Sequence, residues 1–162
     1  MKKALVFFAV LYSSLGSAQL KPTSVCPEFV VDILDGRIGE LDPRSTIGQI
    51  KAKYPCYTKL ENESDSAWCG GGIFYKDRDL FFYTGRDYVE IGPAFKGKLT
   101  LALMGAARGS FFKTLGNPMI KDTGWDAYQT AYGMLLLYFN KSNKVNKIRF
   151  STEKAGSIRL CD

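Results

Sequence analysis

Residues 130–151 have the sequence TAYGMLLLYFNKSNKVNKIRFS, and this stretch decides the fold. Met134–Phe139 is an unbroken apolar run, too short to span a membrane and of the right length for a strand buried on both faces. Residues 140–143 are polar and turn-forming. Ile148 and Phe150 then lie two residues apart, on one face of a second strand. The stretch therefore predicts a β-hairpin with a four-residue loop.

A weaker copy of this pattern lies earlier in the chain. Residues 73–75 and residues 80–83 are apolar, and the polar residues 76–79 lie between them. In both halves a short predicted helix and a polar loop with one tryptophan come before the hairpin. The shared order predicts a duplicated unit, with approximate repeats at residues 38–92 and residues 97–151.

Helix signals precede each hairpin. Thr46 and Gln49 fit a capping box, Ile50 continues at helical spacing, and Pro55 ends the helix. A second short helix is predicted within residues 105–115, where a Gly-Asn-Pro sequence follows the last apolar position. Each hairpin is therefore expected to pack beside a short helix.

The remaining segments complete an α+β prediction. Residues 29–33 and 87–91 have strand character, whereas residues 99–104 fit either a strand or a helix. Residues 57–68 and 121–129 are predicted surface loops. The expected fold is an antiparallel sheet with short helices on one face, built from two helix–loop–hairpin repeats and stapled by disulfides.

A secretory signal peptide is predicted at residues 1–18. A short basic start precedes an apolar run over residues 4–15, and small residues at 16–18 suit a signal peptidase. The run is too short for a transmembrane anchor, and no cysteine lies at the cleavage point to carry a lipid. The expected mature chain, residues 19–162, is a single exported domain, periplasmic or extracellular, without an integral membrane segment.

The charge of the mature chain is mildly basic. Cleavage would remove two lysines, so the basic count falls from 22 to 20 against 16 acidic residues, a net charge of about +4. The lysines are scattered among carboxylates and form no clustered basic stripe. Nucleic acid is therefore not an expected partner.

The four cysteines predict structural disulfides. An even number of cysteines in an exported chain favours disulfides, and four cysteines allow three pairings. The preferred pairing joins Cys56 to Cys69, closing the loop between them for about 3 kcal/mol. Cys26 and Cys161 then join the two ends of the chain. No close Cys-x-x-Cys pair and no histidine are present to bind zinc, so no metal or cofactor is expected.

The absence of histidine limits the catalytic chemistry. It excludes Ser-His-Asp and Cys-His catalysis and histidine-ligated metals. Carboxylate pairs can still hydrolyse glycosides, and the candidates are Glu61, Glu63, Asp65 and Glu90. A run of acids in a loop is more often a solvated surface, so we expect a protein that is not an enzyme. The alternative is a secreted carboxylate-dependent hydrolase acting on glycan or peptidoglycan.

A family resemblance follows from the order of elements over residues 38–151. A helix closed by Gly116-Asn117-Pro118, then a loop and an antiparallel meander, resembles the unit of the β-lactamase-inhibitory-protein fold. The small lipoprotein of the outer-membrane β-barrel assembly machine is similar. In the inhibitor family the unit occurs twice, each copy with its own disulfide, and the joined sheets grip an enzyme with a concave face. The resemblance implies a binding protein.

Aromatic residues near strand ends are the candidate binding residues. A sheet with helices on one face leaves the other face to solvent, and Tyr and Trp suit interface hot spots. The other interpretation is that both faces are buried and these aromatics belong to the core. The predicted function is to engage a protein partner through this face, as an inhibitor, immunity protein or envelope adaptor. The candidates are Trp68, Tyr83, Tyr88, Trp125 and Tyr128.

Overall fold

The computed structural model describes residues 25–64 and 66–161, so the predicted signal peptide lies outside the described residues. The fold is α+β as predicted, although strands dominate and the helices are short. In chain order the helices and strands are β1 (Val30–Asp32), β2 (Arg37–Ile38), α1 (Ile47–Lys53), β3 (Lys59–Glu61), β4 (Gly72–Tyr75), β5 (Leu80–Tyr83), β6 (Tyr88–Ile91), β7 (Lys98–Leu99), α2 (Phe112–Leu115), β8 (Ile120–Lys121), β9 (Trp125–Gln129), β10 (Met134–Phe139) and β11 (Val145–Ser151).

The strands form a small sheet and a large one. The small sheet has the order β2-β1-β7, and the large antiparallel sheet has the order β3-β4-β5-β6-β11-β10-β9-β8. The first four strands of the large sheet follow α1 and the last four follow α2. The order is therefore symmetrical about the central β6–β11 pair.

Both predicted hairpins are present, as β4–β5 and β10–β11. They do not occupy matching places in the two halves. The hairpin β4–β5 is made of the second and third strands of its half, whereas β10–β11 is made of the third and fourth. The hairpin correspondence expected from the sequence therefore differs from the symmetry of the strand order.

The capping box predicted for α1 is present. The Gln49 N–H donates to Thr46 Oγ1 at 3.3 Å, and the Thr46 N–H donates to Gln49 Oε1 at 2.8 Å. The helix buries Ile50 completely and ends just before Pro55. These local signals fix both ends of α1 and turn its apolar side toward the sheet.

Both predicted surface loops contain strands. β3 lies within residues 57–68, and β9 lies within residues 121–129. The buried Asp126 breaks the apolar pattern of β9, so the sequence predicts a loop there. The second helix is shorter than the predicted range 105–115. Of residues 99–104, only the first belongs to a strand.

The inner face of the large sheet packs against α1 and the small sheet. The core is completed on the other side by Phe29 and Val31 of the small-sheet region and by Ile50 of α1, which pack against the inner face. Its buried side chains alternate along the strands, as expected for a strand period of two. They are Ile73, Tyr75, Leu80, Phe82, Val89, Ile91, Tyr128, Leu135, Leu137, Ile148 and Phe150.

The outer face of the large sheet is covered by the C-terminal segment, residues 152–161. This segment is irregular, with one turn at residues 155–157, and its Ala155, Ile158 and Leu160 pack against the sheet. The expectation that this face is open to solvent is wrong, because the segment returns across it. The buried outer-face residues include Phe74, Tyr83, Tyr88, Ala127, Met134 and Leu136.

All four cysteines form disulfides as predicted, but the predicted pairing is wrong. Cys26 pairs with Cys56 and Cys69 pairs with Cys161, with Cα–Cα distances of 5.4 and 5.8 Å. The first pair packs against the inner-face core and the second against the outer-face cluster. Cys56 and Cys69 lie on opposite sides of the sheet, so they cannot bridge despite their closeness in sequence.

Candidate functional site

Three of the five predicted binding aromatics are buried. Tyr83 and Tyr88 stack beneath the C-terminal segment, with ring centroids 4.4 Å apart, and they are 5% and 0% exposed. Tyr128 lies on the inner face, with its ring edge-on to Phe111. The prediction that these three residues form an exposed aromatic face is therefore wrong.

The alternation of β9 explains part of this error. Trp125 and Tyr128 are three residues apart on one strand, so they lie on opposite faces of the sheet. Trp125 is partly exposed on the outer face, opposite Tyr138. Trp68 lies in the 3₁₀ turn Trp68–Gly70, and its side chain is outside the described part of the structure. Partner binding by the two tryptophans stays a prediction.

Burial on the outer face changes the acidity of its tyrosines. Desolvation raises the pKa of Tyr83 to about 12, and the nearby Glu90 carboxylate adds to the increase, which the Arg149 guanidinium opposes. Desolvation also raises the pKa of Tyr88. Both phenols therefore favour the neutral form under the C-terminal segment.

A network of charged side chains crosses the outer face beneath the segment. Arg149 Nε donates to Glu90 Oε2 at 2.5 Å, and Nη1 donates to Tyr138 Oη at 2.9 Å. Arg149 Nη2 donates to the Cys161 carbonyl oxygen at 2.8 Å. Lys147 Nζ lies 3.9 Å from Glu90 Oε2. The Arg149 guanidinium thus links the sheet to the C-terminal segment.

The candidate hydrolytic carboxylates are dispersed. Glu90 is held in the outer-face ion pairs, and Glu61 on β3 forms an ion pair with Lys59. Strands β4 and β5 lie between these two acids. Glu63 is exposed in the following loop, and Asp65 lies outside the described residues.

An open cleft of about 420 Å³ lies at the β8 edge of the large sheet; we call it the edge cleft. It is formed where α2, the loop after α2, β8 and β9 meet. Its lining combines an aromatic floor with charged and amide groups. These include Arg108, Phe112, Asn117, Lys121, Asp126 and Tyr128.

Arg108 fixes the floor of the edge cleft. Its Nε and Nη2 donate to the two carboxylate oxygens of the buried Asp126, at 3.1 and 2.5 Å. Nη1 donates to the Thr123 carbonyl at 3.2 Å, and Nη2 also donates to the Asp122 carbonyl at 2.5 Å. The guanidinium lies over the Phe139 ring. One side chain therefore holds the turn between β8 and β9 against the sheet.

Three large apolar side chains are exposed beside this cleft. Phe112, in α2, is 55% exposed, and Met119 and Ile120 are 60% and 39% exposed. β8 is the last strand of the sheet, so its outer edge offers unpaired backbone groups. An apolar surface beside an open strand edge is typical of a site that contacts another chain.

The opposite edge of the sheet is different. On β3, Lys59 and Glu61 form an ion pair, and Lys59 also covers the Phe74 ring. Charged side chains on an edge strand disfavour pairing with another strand. β8 also has a lysine, Lys121, but Phe112, Met119 and Ile120 are exposed beside it, so the β8 edge is the candidate interaction surface.

Comparisons with protein-family models, with curated proteins and with solved structures find no match for this chain. Within residues 25–64 and 66–161, no helix has the length and hydrophobicity that crossing a bilayer requires. The same residues contain no group of three or more His, Cys, Asp or Glu side chains that could hold a metal ion.

None of the edge-cleft residues except Tyr128 is predicted from the sequence. The pairing of Arg108 with Asp126 spans 18 residues, and no local pattern signals it. Trp125 and Tyr128 are strand-forming residues that could have indicated β9, but the polar residues around them favour a loop.

Proposed function

We propose that this protein is an exported binding protein that engages a protein partner through the edge cleft and the exposed apolar residues beside it. The observation that carries this proposal is the exposure of Phe112, Met119 and Ile120 next to the unpaired edge of β8. Apolar groups gathered at an open edge favour association unless they are covered. A partner that covers them gains apolar burial and avoids edge-to-edge aggregation.

The partner is a protein that presents an extended acidic segment. The free edge of β8 can hydrogen-bond to an added strand, which is a common mode of peptide recognition. Phe112 and Ile120 would contact apolar side chains of that segment, and Lys113 and Lys121 would attract its carboxylates. The charge of Arg108 is already neutralised by Asp126, so the two lysines provide the charge selectivity.

The Arg108 contacts prepare this surface for binding. Because they already hold the β8–β9 turn, the edge loses little conformational freedom when a partner binds. Asp126 is 2% exposed, so water competes little for its ion pair with Arg108. The edge cleft is therefore a preformed surface.

An inhibitor, immunity protein or envelope adaptor performs binding of this kind, and the resemblance to the β-lactamase-inhibitory-protein fold favours such a role. Two disulfides in a chain with a signal-like start support export to an oxidising compartment. The binding surface in this proposal is the edge cleft, because the C-terminal segment occupies the outer face.

Duplication of one unit is part of the same proposal. The symmetrical strand order and the position of a helix before each four-strand meander support it. An experimental structure tests it by superposition of the α1–β6 half on the α2–β11 half. Corresponding strands that superpose with the same side-chain alternation favour duplication, and halves that match only in strand order argue against it.

The binding proposal is tested with the mature protein as bait in periplasmic or secreted fractions, followed by affinity measurement with the identified partner. The double variant Phe112→Ser, Ile120→Ser should weaken binding by at least about 30-fold, since hot-spot residues contribute about 2 kcal/mol or more. Leu34→Ser, at an exposed apolar position outside the edge cleft, should leave the affinity unchanged.

Hydrogen exchange locates the contact in the same complex. The partner should slow amide exchange at β8 and leave β3 unaffected. Equal affinity for the wild-type and double-variant proteins, or protection at β3 in place of β8, would contradict the proposed surface.

A further inference from the structure

The C-terminal segment, residues 152–161, contacts the outer face through side chains rather than through strand pairing. β11 ends at Ser151, and the segment beyond it is irregular. Ile158 and Leu160 pack over Met134 and Leu136. The Cys161 N–H donates to Tyr88 Oη at 3.4 Å. The segment is thus a cover laid on a sheet whose strand ladder is complete without it.

The inner-face core is formed independently of this cover. Its apolar cluster is built from the small sheet, α1 and the inner-face strands, with Phe111 and Leu103, and it includes no residue of the C-terminal segment. Strand pairing from β3 to β8 likewise ends before residue 152. Removal of the cover therefore leaves the hydrogen-bonded sheet and its main core in place.

The Cys69–Cys161 disulfide tethers the far end of the cover. Cys69 has a left-handed backbone with φ of +57°, which is uncommon for a residue other than glycine. Cys161 lies in an irregular segment without strand pairing, so its sulfur can separate from that of Cys69 by a local opening, and we expect this bond to be the more easily reduced of the two. Cys26–Cys56 differs, since it packs on the main core and neither of its cysteines has a positive φ.

We propose that the C-terminal segment is a releasable cover of the outer face, and that reduction of Cys69–Cys161 releases it. A thiolate of a dithiol reductant attacks one sulfur of the bond, and the other sulfur leaves as a thiolate and is protonated. The second thiol of the reductant, as a thiolate, then attacks the reductant's own sulfur in the mixed disulfide, and the protein sulfur leaves as a thiolate and is protonated. Cys69 and Cys161 become thiols, and the dithiol becomes a disulfide.

Release of the cover changes the chemistry of the outer face. It exposes the apolar Met134 and Leu136 and the stacked Tyr83 and Tyr88, which are buried in the oxidised protein. It also removes the Cys161 carbonyl from the Arg149 guanidinium. The reduced protein therefore presents a large apolar surface with charged groups at its centre.

Two methionines allow release to be measured directly. Met134 is buried under the cover, whereas Met119 is 60% exposed at the edge cleft and serves as an internal reference. The folded protein is treated with increasing dithiothreitol, its free thiols are alkylated, and the reductant is removed. A short exposure to hydrogen peroxide then converts accessible methionines to the sulfoxide, which mass spectrometry quantifies at each site.

We expect Cys69 and Cys161 to be alkylated at a lower dithiothreitol concentration than Cys26 and Cys56. Oxidation of Met134 should then accelerate roughly tenfold or more, as for a local opening that leaves the rest of the structure folded. The rate at Met119 and the far-ultraviolet circular dichroism should not change. A chain that ends at Ser151 should show the fast Met134 rate without reductant.

Without reductant, the control variant Cys26→Ser, Cys56→Ser keeps the Cys69–Cys161 bond, and its Met134 should stay protected. Continued protection of Met134 after Cys69 and Cys161 are alkylated would overturn the proposal. Earlier reduction of Cys26–Cys56 would overturn it too, as would loss of the sheet when the tether opens. The results that would overturn the proposal are all measured on the wild-type chain, so they do not depend on how well a variant folds.

Discussion

The two faces of the large sheet are buried by different means. The inner face meets α1 and the small sheet through a continuous apolar cluster, in which Phe150 and Leu135 are fully buried. The outer face meets an irregular segment and contains the ion pair of Arg149 and Glu90 among aromatic rings. The inner face is thus part of a close-packed core built with regular elements, whereas the outer face is covered by a short irregular segment that a disulfide holds in place.

This difference shows what strand alternation determines and what it leaves open. Alternation assigns each side chain to a face, so Leu135 and Leu136, neighbours on β10, lie on opposite sides of the sheet. It does not tell which segment packs on each side. Aromatic residues on the second face are buried here because the chain end returns across them.

The largest effect on the free energy of unfolding is expected when Leu135→Ala is compared with Leu136→Ala. The inner-face variant should lower the free energy of unfolding by about 4 kcal/mol, because the close-packed core cannot collapse around the cavity. The outer-face variant should cost about 2 kcal/mol, since the irregular cover can move into the space. Urea unfolding followed by circular dichroism measures both. Equal costs would remove the distinction between core and cover.

A smaller loss is expected for Arg149→Met. It leaves the largely buried Glu90 carboxylate with Lys147 as its remaining cation, and we expect a cost of about 3 kcal/mol. Lys98→Met is the matched control, because Lys98 and Glu28 form an exposed pair that should contribute less than about 1 kcal/mol. If the two variants have the same urea midpoint, the outer-face ion pair is not buried as described.

The smallest effect concerns alkaline pH. Tyr83 loses its proton near pH 10 in the unfolded chain and near pH 12 in the folded one, so the unfolded state binds fewer protons between these values. The free energy of unfolding should therefore decrease as pH rises through this range. Tyr83→Phe should reduce the slope, and urea unfolding at several pH values measures it. An unchanged slope would mean that Tyr83 is not shielded by the cover.

Local patterns predict a large part of this fold. The Thr46–Gln49 capping box and both hairpins are recognisable because their signals lie within a few residues of one another. β9 is not recognisable, because the charge of Asp126 is compensated by Arg108 from another part of the chain. A buried ion pair of this kind is visible only after the chain has folded.

The candidate site is less predictable than the fold. Of its exposed residues, Phe112 lies within the predicted helix range 105–115 and Ile120 lies just before the predicted loop 121–129, and no sequence pattern marks either as a site residue. The disulfide pairing is equally hard to predict from the sequence, because it depends on which side of the sheet each cysteine occupies. Chain separation favours Cys56 with Cys69, whereas the opposite sides they occupy exclude that pair.

Mapping of the disulfides in the non-reduced mature protein tests the covered outer face most directly. Trypsin places each cysteine on its own peptide, with Cys56 in residues 54–59, Cys69 in residues 60–76 and Cys161 in residues 160–162. We predict that residues 60–76 are linked to residues 160–162, and that residues 54–59 are linked to the peptide of Cys26. A link between residues 54–59 and residues 60–76 would contradict the account, because the C-terminal segment would then not be tethered across the outer face.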